Sequence, residues 1–396
     1  MKPKLPPVWL MGLGNLPFGI YGALLLITIP QLLAARGVPE PQIASVTAVG
    51  LIPSFGSFLL APILDVRFSR RSYAIAFGLL ASVIAFFALA QIGNLPALTV
   101  LLFAGMTSAS LFQGALGGWL GSVVPKEQDG QLAAWFTVGN IGGFGLAAII
   151  AITALRALPG LLGPAVVAML IATPLLILAL MPPPSTDRRQ ARESFATLGR
   201  DLLALIKQRV VLRTLLIFCL PSSSFALTNT LGGLGGDFNV SEQFVAVVAG
   251  TGVTVAAVTA ILLTRPLTER IRPQLLYLLI GIVGALFTFT LIALPRNGAT
   301  FALAMAGENV FQAAAFMAAN AIIFRGIGEG SPLAATQFTF LNAAYALPIT
   351  YMQTIDGHAY AFGGLTTTFL TDAGISLLVC LALLPFVRRW RNASTP

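Results

Sequence analysis

The chain has 396 residues, 57% of them hydrophobic and 9% charged, with a mean hydropathy of +0.88. Soluble domains carry roughly 25% charged residues, so the composition excludes a soluble globular protein and implies a polytopic membrane protein. The formal net charge of +9 is not read as a nucleic-acid signature, because its distribution follows membrane topology.

A helix crossing a hydrocarbon core of roughly 30 Å needs about 20 apolar residues. Twelve such runs are predicted, near residues 9–33, 43–64, 73–92, 96–123, 132–154, 161–181, 211–231, 244–263, 274–294, 300–325, 333–352 and 363–387. Continuous apolar runs of this length contradict the short alternating strands of a β-barrel, so an all-α integral membrane fold is expected. The opening "MKPKLPPVWL" leads into a full-length span without a short apolar region and A-x-A-like site, so no cleavable signal peptide is expected.

With both termini cytoplasmic, twenty of the 23 Lys and Arg residues fall inside, among them Lys2, Lys4, Arg67, Lys126, Arg188, Arg189, Arg213, Arg325 and Arg391. Arg36, Arg156 and Arg296 fall outside. This asymmetry supports an even number of spans, with the basic side facing anionic lipid. Cys219 and Cys380 lie within predicted spans, and neither a disulfide nor a metal site is implied.

The longest polar segment, residues 182–210, divides the spans six and six. It reads as a cytoplasmic linker with an amphipathic helix at the membrane surface, between an N-terminal bundle (1–181) and a C-terminal one (211–396). The halves echo each other: "APILDVRFSRRSY" follows the second span and "RPLTERIRPQLLY" the eighth. Setting Pro62 against Pro266 puts Asp65 opposite Glu269, which suggests duplication.

The first of these segments resembles the major facilitator superfamily pattern G-x-x-x-D-R-x-G-R-R. Asp65, Arg70 and Arg71 match it, whereas Ala61 replaces the first glycine, Val66 replaces the arginine and the spacing is one residue longer. The resemblance implies two six-helix bundles, with Asp65 capping a neighbouring helix and Arg70 and Arg71 holding a cytoplasmic gate. Glu269 and Arg270 would be their echo. The segments "GNLPFGIYGALLLITIPQLLAARGVPEPQIA", "LLAPILD", "GENVFQAAAF" and "AATQFTFLNAAYALP" resemble the peptide and acetyl-coenzyme A transporter branch. That branch includes AmpG-type muropeptide permeases, acetyl-coenzyme A transporters and siderophore permeases.

By the same resemblance, the first, fourth, seventh and tenth spans line a substrate cavity. They offer Asn15 and Tyr21, then Gln113, then Ser222, Ser223, Ser224, Thr228 and Asn229, then Glu308, Gln312 and Asn320. Gln337 and Asn342 of the eleventh span are further candidates for the wall or gate, with Thr336 and Tyr345 beside them. Pro17 and Pro221 would interrupt helical hydrogen bonding in spans one and seven. Interhelical hydrogen bonding is the plainer role for each amide and hydroxyl.

Glu308 is the candidate proton-coupling residue. An ionised carboxylate at a helix centre costs about 2.5 to 3.5 kcal/mol on insertion scales, and binding a proton removes most of that cost. Offsets of four and twelve keep Gln312 and Asn320 on the same side of the helix as Glu308. Asp372, on the twelfth span, is expected to pair structurally with Thr368 or a neighbouring helix.

Other functions find less support. No G-x-x-x-x-G-K-S or G-x-x-x-x-G-K-T loop is present, so uphill transport would draw on a gradient. Gly139, Gly142, Gly143 and Gly145 suit close helix packing better than the antiporter motif of drug exporters, whose proline is missing. The single histidine, His358, lies in "TIDGHAYAFGG" beside Asp356 in a predicted outer turn, which suits a solvated residue better than a catalytic base. A substrate-sensing receptor would need a signalling surface that no appended segment supplies.

No Lys or Arg lies near the middle of any predicted span, which disfavours polyphosphorylated cargo such as acetyl-coenzyme A. The expected function is proton-coupled secondary transport, as an importer of an amphipathic solute such as a muropeptide or siderophore, in a bacterial inner membrane. No cofactor, metal, nucleic acid or enzymatic activity is expected. The partners would be small-molecule substrate, protons and lipid, and the working unit a monomer. Acetyl-coenzyme A transport and drug or metabolite export are the alternatives, with a substrate-sensing membrane receptor as the non-transport one.

Overall fold

The computed structural model describes residues 5–181, 191–223, 225–327 and 331–390, and every regular element among them is helical. Ser224, Lys2, Lys4, Arg188, Arg189, Arg391 and the first part of the linker lie outside the described residues. Nine helices among the described residues are long and apolar enough to cross a membrane: Val8–Ala34, Pro41–Leu59, Arg70–Ala90, Leu95–Val123, Lys126–Ala157, Leu162–Ala179, Pro273–Ala293, Gly298–Gly326 and Ala334–Arg389. The last is 56 residues long and breaks at Gly363 and Gly364, so it supplies two spans. Glu242–Val247, Val248–Gly252 and Val253–Arg270 run on without a gap as the eighth span, and the seventh begins with Arg209–Cys219. Twelve helical spans result among the described residues.

Two corrections concern where helices stop. Residues 353–362, expected as a turn, continue the helix from Ala334. The stop comes at Gly363–Gly364, where Gly364 takes φ +65°, a conformation that only a residue without Cβ adopts freely. The seventh span, expected to be helical near 211–231, is α-helical only to Cys219 and proceeds by 3₁₀ turns over Ala226–Asn229 and Leu231–Phe238. Pro221 has no N–H for the Ile217 carbonyl and crowds that turn. The Ser222 hydroxyl donates to Ile217 O at 3.0 Å instead.

The chain divides into two compact units, Met1–Gln208 with Ile323–Ala343, and Arg209–Ile322 with Ala344–Pro396. In the first unit, the first and fifth spans touch through their backbones. A side chain added at Gly19 would strike Asn140 O, and one at Gly143 would lie 2.6 Å from Leu16 O. Gly142, beside it, faces open space. The apolar core of this unit gathers Tyr21, Leu24, Leu25, Leu98, Leu102 and Ile171.

In the second unit, a core of Leu227, Leu231, Phe238, Leu291, Phe301 and Phe369 surrounds the 3₁₀ part of span seven. The break at Pro221 is tied down on three sides. Tyr351 Oη donates to Cys219 O at 2.9 Å, Cys380 Sγ to Ser222 O at 2.7 Å, and Ser223 Oγ to Tyr277 O at 2.9 Å. Backbone polar groups freed inside a bilayer cost several kcal/mol unless repaired in this way.

Candidate functional sites

The first site lies in the first unit. Ala61–Asp65 is a 3₁₀ turn that leaves Asp65 almost completely buried. The Asp65 carboxylate accepts four hydrogen bonds: at Oδ1 from Arg70 Nε (2.7 Å) and Ala335 N (3.1 Å), and at Oδ2 from Thr336 N (2.8 Å) and Thr336 Oγ1 (2.7 Å). Ala335 and Thr336 belong to the first turn of the Ala334–Arg389 helix, whose N–H groups have no partner within the helix. An acid from a distant loop thus caps that helix and meets the positive end of its dipole. Arg70 Nη2 also donates to Ser331 O (2.9 Å) and Pro332 O (3.0 Å), clamping the approach to the helix.

Small residues permit this approach. A side chain at Gly118 would collide with the Ala335 backbone, and one at Gly117 with the Phe338 ring. Arg67, in the loop that carries the extra residue of the motif, takes φ +62°, and Phe68 N donates to Val66 O across it. Arg71 points elsewhere, donating to Ala179 O at 2.9 Å. Glu269 and Arg270 end the Val253–Arg270 helix and are exposed. Pro266 is inside that continuous helix, whereas Pro62 sits in the 3₁₀ turn.

The cavity candidates fall into several settings. Asn15 is buried and donates to Phe136 O at 3.1 Å; Tyr21 and Gln113 are buried. Gln337 donates to Gly326 O at 2.9 Å, and Asn342 is half-buried. In the second unit, Gln312 Nε2 donates to Thr228 Oγ1 at 2.7 Å, beside the stacked rings of Phe225 and Phe311. Asn229 is exposed and Asn320 half-buried.

The second site centres on Glu308, which is fully buried. Its Oε1 is hydrogen-bonded to the Thr288 hydroxyl, and that hydroxyl also lies 3.1 Å from Gly284 O. The single hydroxyl proton makes one strong bond at a time. A protonated Glu308 is compatible with both contacts, donating to Thr288 while Thr288 donates to Gly284 in the ordinary helical manner.

Two further acids of this unit, Asp372 and Asp356, are buried, and Asp372 lines a small cavity together with Thr288. Glu308 Oε2, Asp372 Oδ1 and both carboxylate oxygens of Asp356 have no hydrogen-bond partner among the described residues. The Asp372–Thr368 pairing is not made, since Thr368 donates to Gly364 O at 3.2 Å. Asp356 is buried, not in a solvated turn, while His358 is exposed and its Nδ1 lies 2.7 Å from Thr354 O. The tenth, eleventh and twelfth spans thus each bury a carboxyl group in this unit, and such groups are normally retained for a function.

Comparison with known proteins follows this geometry. A family model described as Major Facilitator Superfamily matches residues 11–352. Among solved structures, the human organic anion transporter TETRAN is similar, with a TM-score of 0.71 and 19% identity over 96% of this chain and 100% of that one. The Escherichia coli fucose:proton symporter FucP gives a TM-score of 0.72 and 16% identity over 96% and 98%. A bacterial homologue of the iron transporter ferroportin, in an outward-facing state, gives 0.68 and 15% over 98% and 100%. No curated protein sequence gives a significant match.

Proposed function

The chain belongs to the major facilitator superfamily, whose members are carriers and typically not enzymes, and on that premise we propose that it is a proton-coupled secondary transporter with Glu308 as its coupling residue. The observation that carries this reading is the wholly buried setting of Glu308 beside Thr288, which favours a proton-bound carboxyl group. An acid that holds a proton in one state and releases it in another can couple substrate movement to a pH gradient.

The proposed mechanism is alternating access between two six-helix bundles, 1–181 and 211–396, joined by the linker 182–210. Asp65 and Arg70 form the cytoplasmic gate, while Arg71 holds Ala179 O instead and Glu269 and Arg270 stand exposed at the corresponding sequence position of the other half. The four-donor capping of Asp65 supports its part in this, because a latch that holds a helix end firmly favours one state over the other. The protein works as a monomeric importer in a bacterial inner membrane with both termini cytoplasmic. Its cargo is an amphipathic solute such as a muropeptide or a siderophore. The amides of Gln113, Gln312, Asn320 and Asn342, with no cation near the centre of any span, suit such a solute better than a polyphosphate.

The test is uptake into proteoliposomes with an alkaline interior. A muropeptide or a ferric siderophore is expected to accumulate, and acetyl-coenzyme A is not. Preferential accumulation of acetyl-coenzyme A would overturn the cargo class, and accumulation that ignores the pH gradient would overturn the coupling.

A further inference from the structure

Beside Glu308 lies a small cavity lined by Ser223, Thr288, Asp372 and Ser376, with Gly281, Gly284, Ala285 and Phe225 completing the wall. Its volume of about 10 Å³ is space for about one water molecule. Thr288 faces this cavity and is hydrogen-bonded to Glu308, so the cavity joins Asp372 to Glu308 through a single hydroxyl. Asp372 is 5% exposed, and its Oδ1 has no hydrogen-bond partner among the described residues.

Asp356, on the helix that ends at Gly363, is a third buried acid in this unit. Arg296, the cation in the loop before the Gly298–Gly326 helix, donates to Thr366 and lies over the rings of Phe238 and Phe369.

We propose that Asp372 relays a proton to Glu308 through the cavity and the Thr288 hydroxyl. This rests on the reading of Glu308 as the coupling residue and adds the route by which its proton arrives. Asp372 gives its proton to a water molecule in the cavity. That water passes a proton to Thr288 Oγ1, and Thr288 releases its own to Glu308 Oε1. Asp372 ends ionised, Glu308 ends neutral, and water and threonine are unchanged.

Infrared spectroscopy of the full chain in lipid, after a rapid drop in pH, follows this with the proton itself as the probe. The band of protonated Glu308 is identified by its loss in Glu308→Gln. In Asp372→Asn, Glu308 is expected to reach the same final protonation on the order of 10²-fold more slowly, the usual contribution of a positioned proton-transfer group. Asp372→Glu restores the rate. Thr288→Val interrupts the path between the cavity and Glu308 and slows it likewise, which keeps the test available if Asp372→Asn does not fold. Glu308 protonation at the wild-type rate in these variants overturns the relay while leaving Glu308 as the coupling residue. If no pH produces a Glu308 band in the wild type, the coupling reading fails first and the relay with it.

Discussion

Asp65 and Thr336, 271 positions apart, are joined twice, with Thr336 donating through both its backbone N–H and its hydroxyl to Asp65 Oδ2. A loop after the second span thereby terminates the eleventh. Removing one partner of a buried, hydrogen-bonded ion pair costs about 3 to 5 kcal/mol, and losing one hydrogen bond to a charged group about 1.5 to 3 kcal/mol. Asp65→Ala is therefore expected to lower the melting temperature in detergent more than Thr336→Val does. Asp65→Lys should insert normally yet abolish uptake; normal uptake would remove the gate role.

Adjacent glycines give a second prediction. Gly143 abuts Leu16 O, whereas nothing lies within 4 Å of a side chain at Gly142. Gly143→Ala should cost about 1 to 3 kcal/mol through overpacking of the first and fifth spans. Gly142→Ala should leave thermal stability unchanged or raise it slightly, by its better helix propensity. Equal effects from the two substitutions would contradict backbone contact between these helices.

The break in span seven gives a third. Ser222→Ala deprives Ile217 O of its donor, and an unpaired buried carbonyl costs about 1 to 3 kcal/mol. Gly281 sits against Ser222 O, so Gly281→Val is expected to prevent the junction from closing at all. Detergent melting curves of the two variants are expected to rank Gly281→Val well below Ser222→Ala, and the reverse order would refute this account of the break.

These particulars mark what the sequence could and could not convey. Spans were legible because a bilayer demands long apolar runs, and Asp65 because its acid and the following arginines stand at a readable spacing. Asp356 was not legible as buried. "TIDGHAYAFGG" is polar enough to resemble a loop, yet only its final glycine pair stops the helix, and neighbouring helices bury the acid. The end of the α-helix at Cys219 was signalled by Pro221, but the run of 3₁₀ turns depends on side chains from distant helices that accept its unusual backbone. The partners of Asp372 were equally hidden, since the cavity it faces is assembled from the seventh, ninth and twelfth spans.

Topology offers a fourth prediction. With Cys219 and Cys380 replaced by serine or alanine, a single cysteine at Arg296 should react with a membrane-impermeant maleimide added to intact cells. One at Lys126 should react only after the membrane is opened. The opposite pattern would invert the proposed orientation.

The central claim is that Glu308 couples transport to protons, and the direct measurement compares wild type with Glu308→Gln in proteoliposomes carrying an imposed pH gradient. Glutamine keeps the shape and can still hydrogen-bond to Thr288, but it cannot bind and release a proton. The account predicts that Glu308→Gln exchanges a transported muropeptide or ferric siderophore across the membrane as the wild type does, while failing to accumulate it against a concentration gradient. Accumulation by Glu308→Gln at the wild-type level would contradict the account.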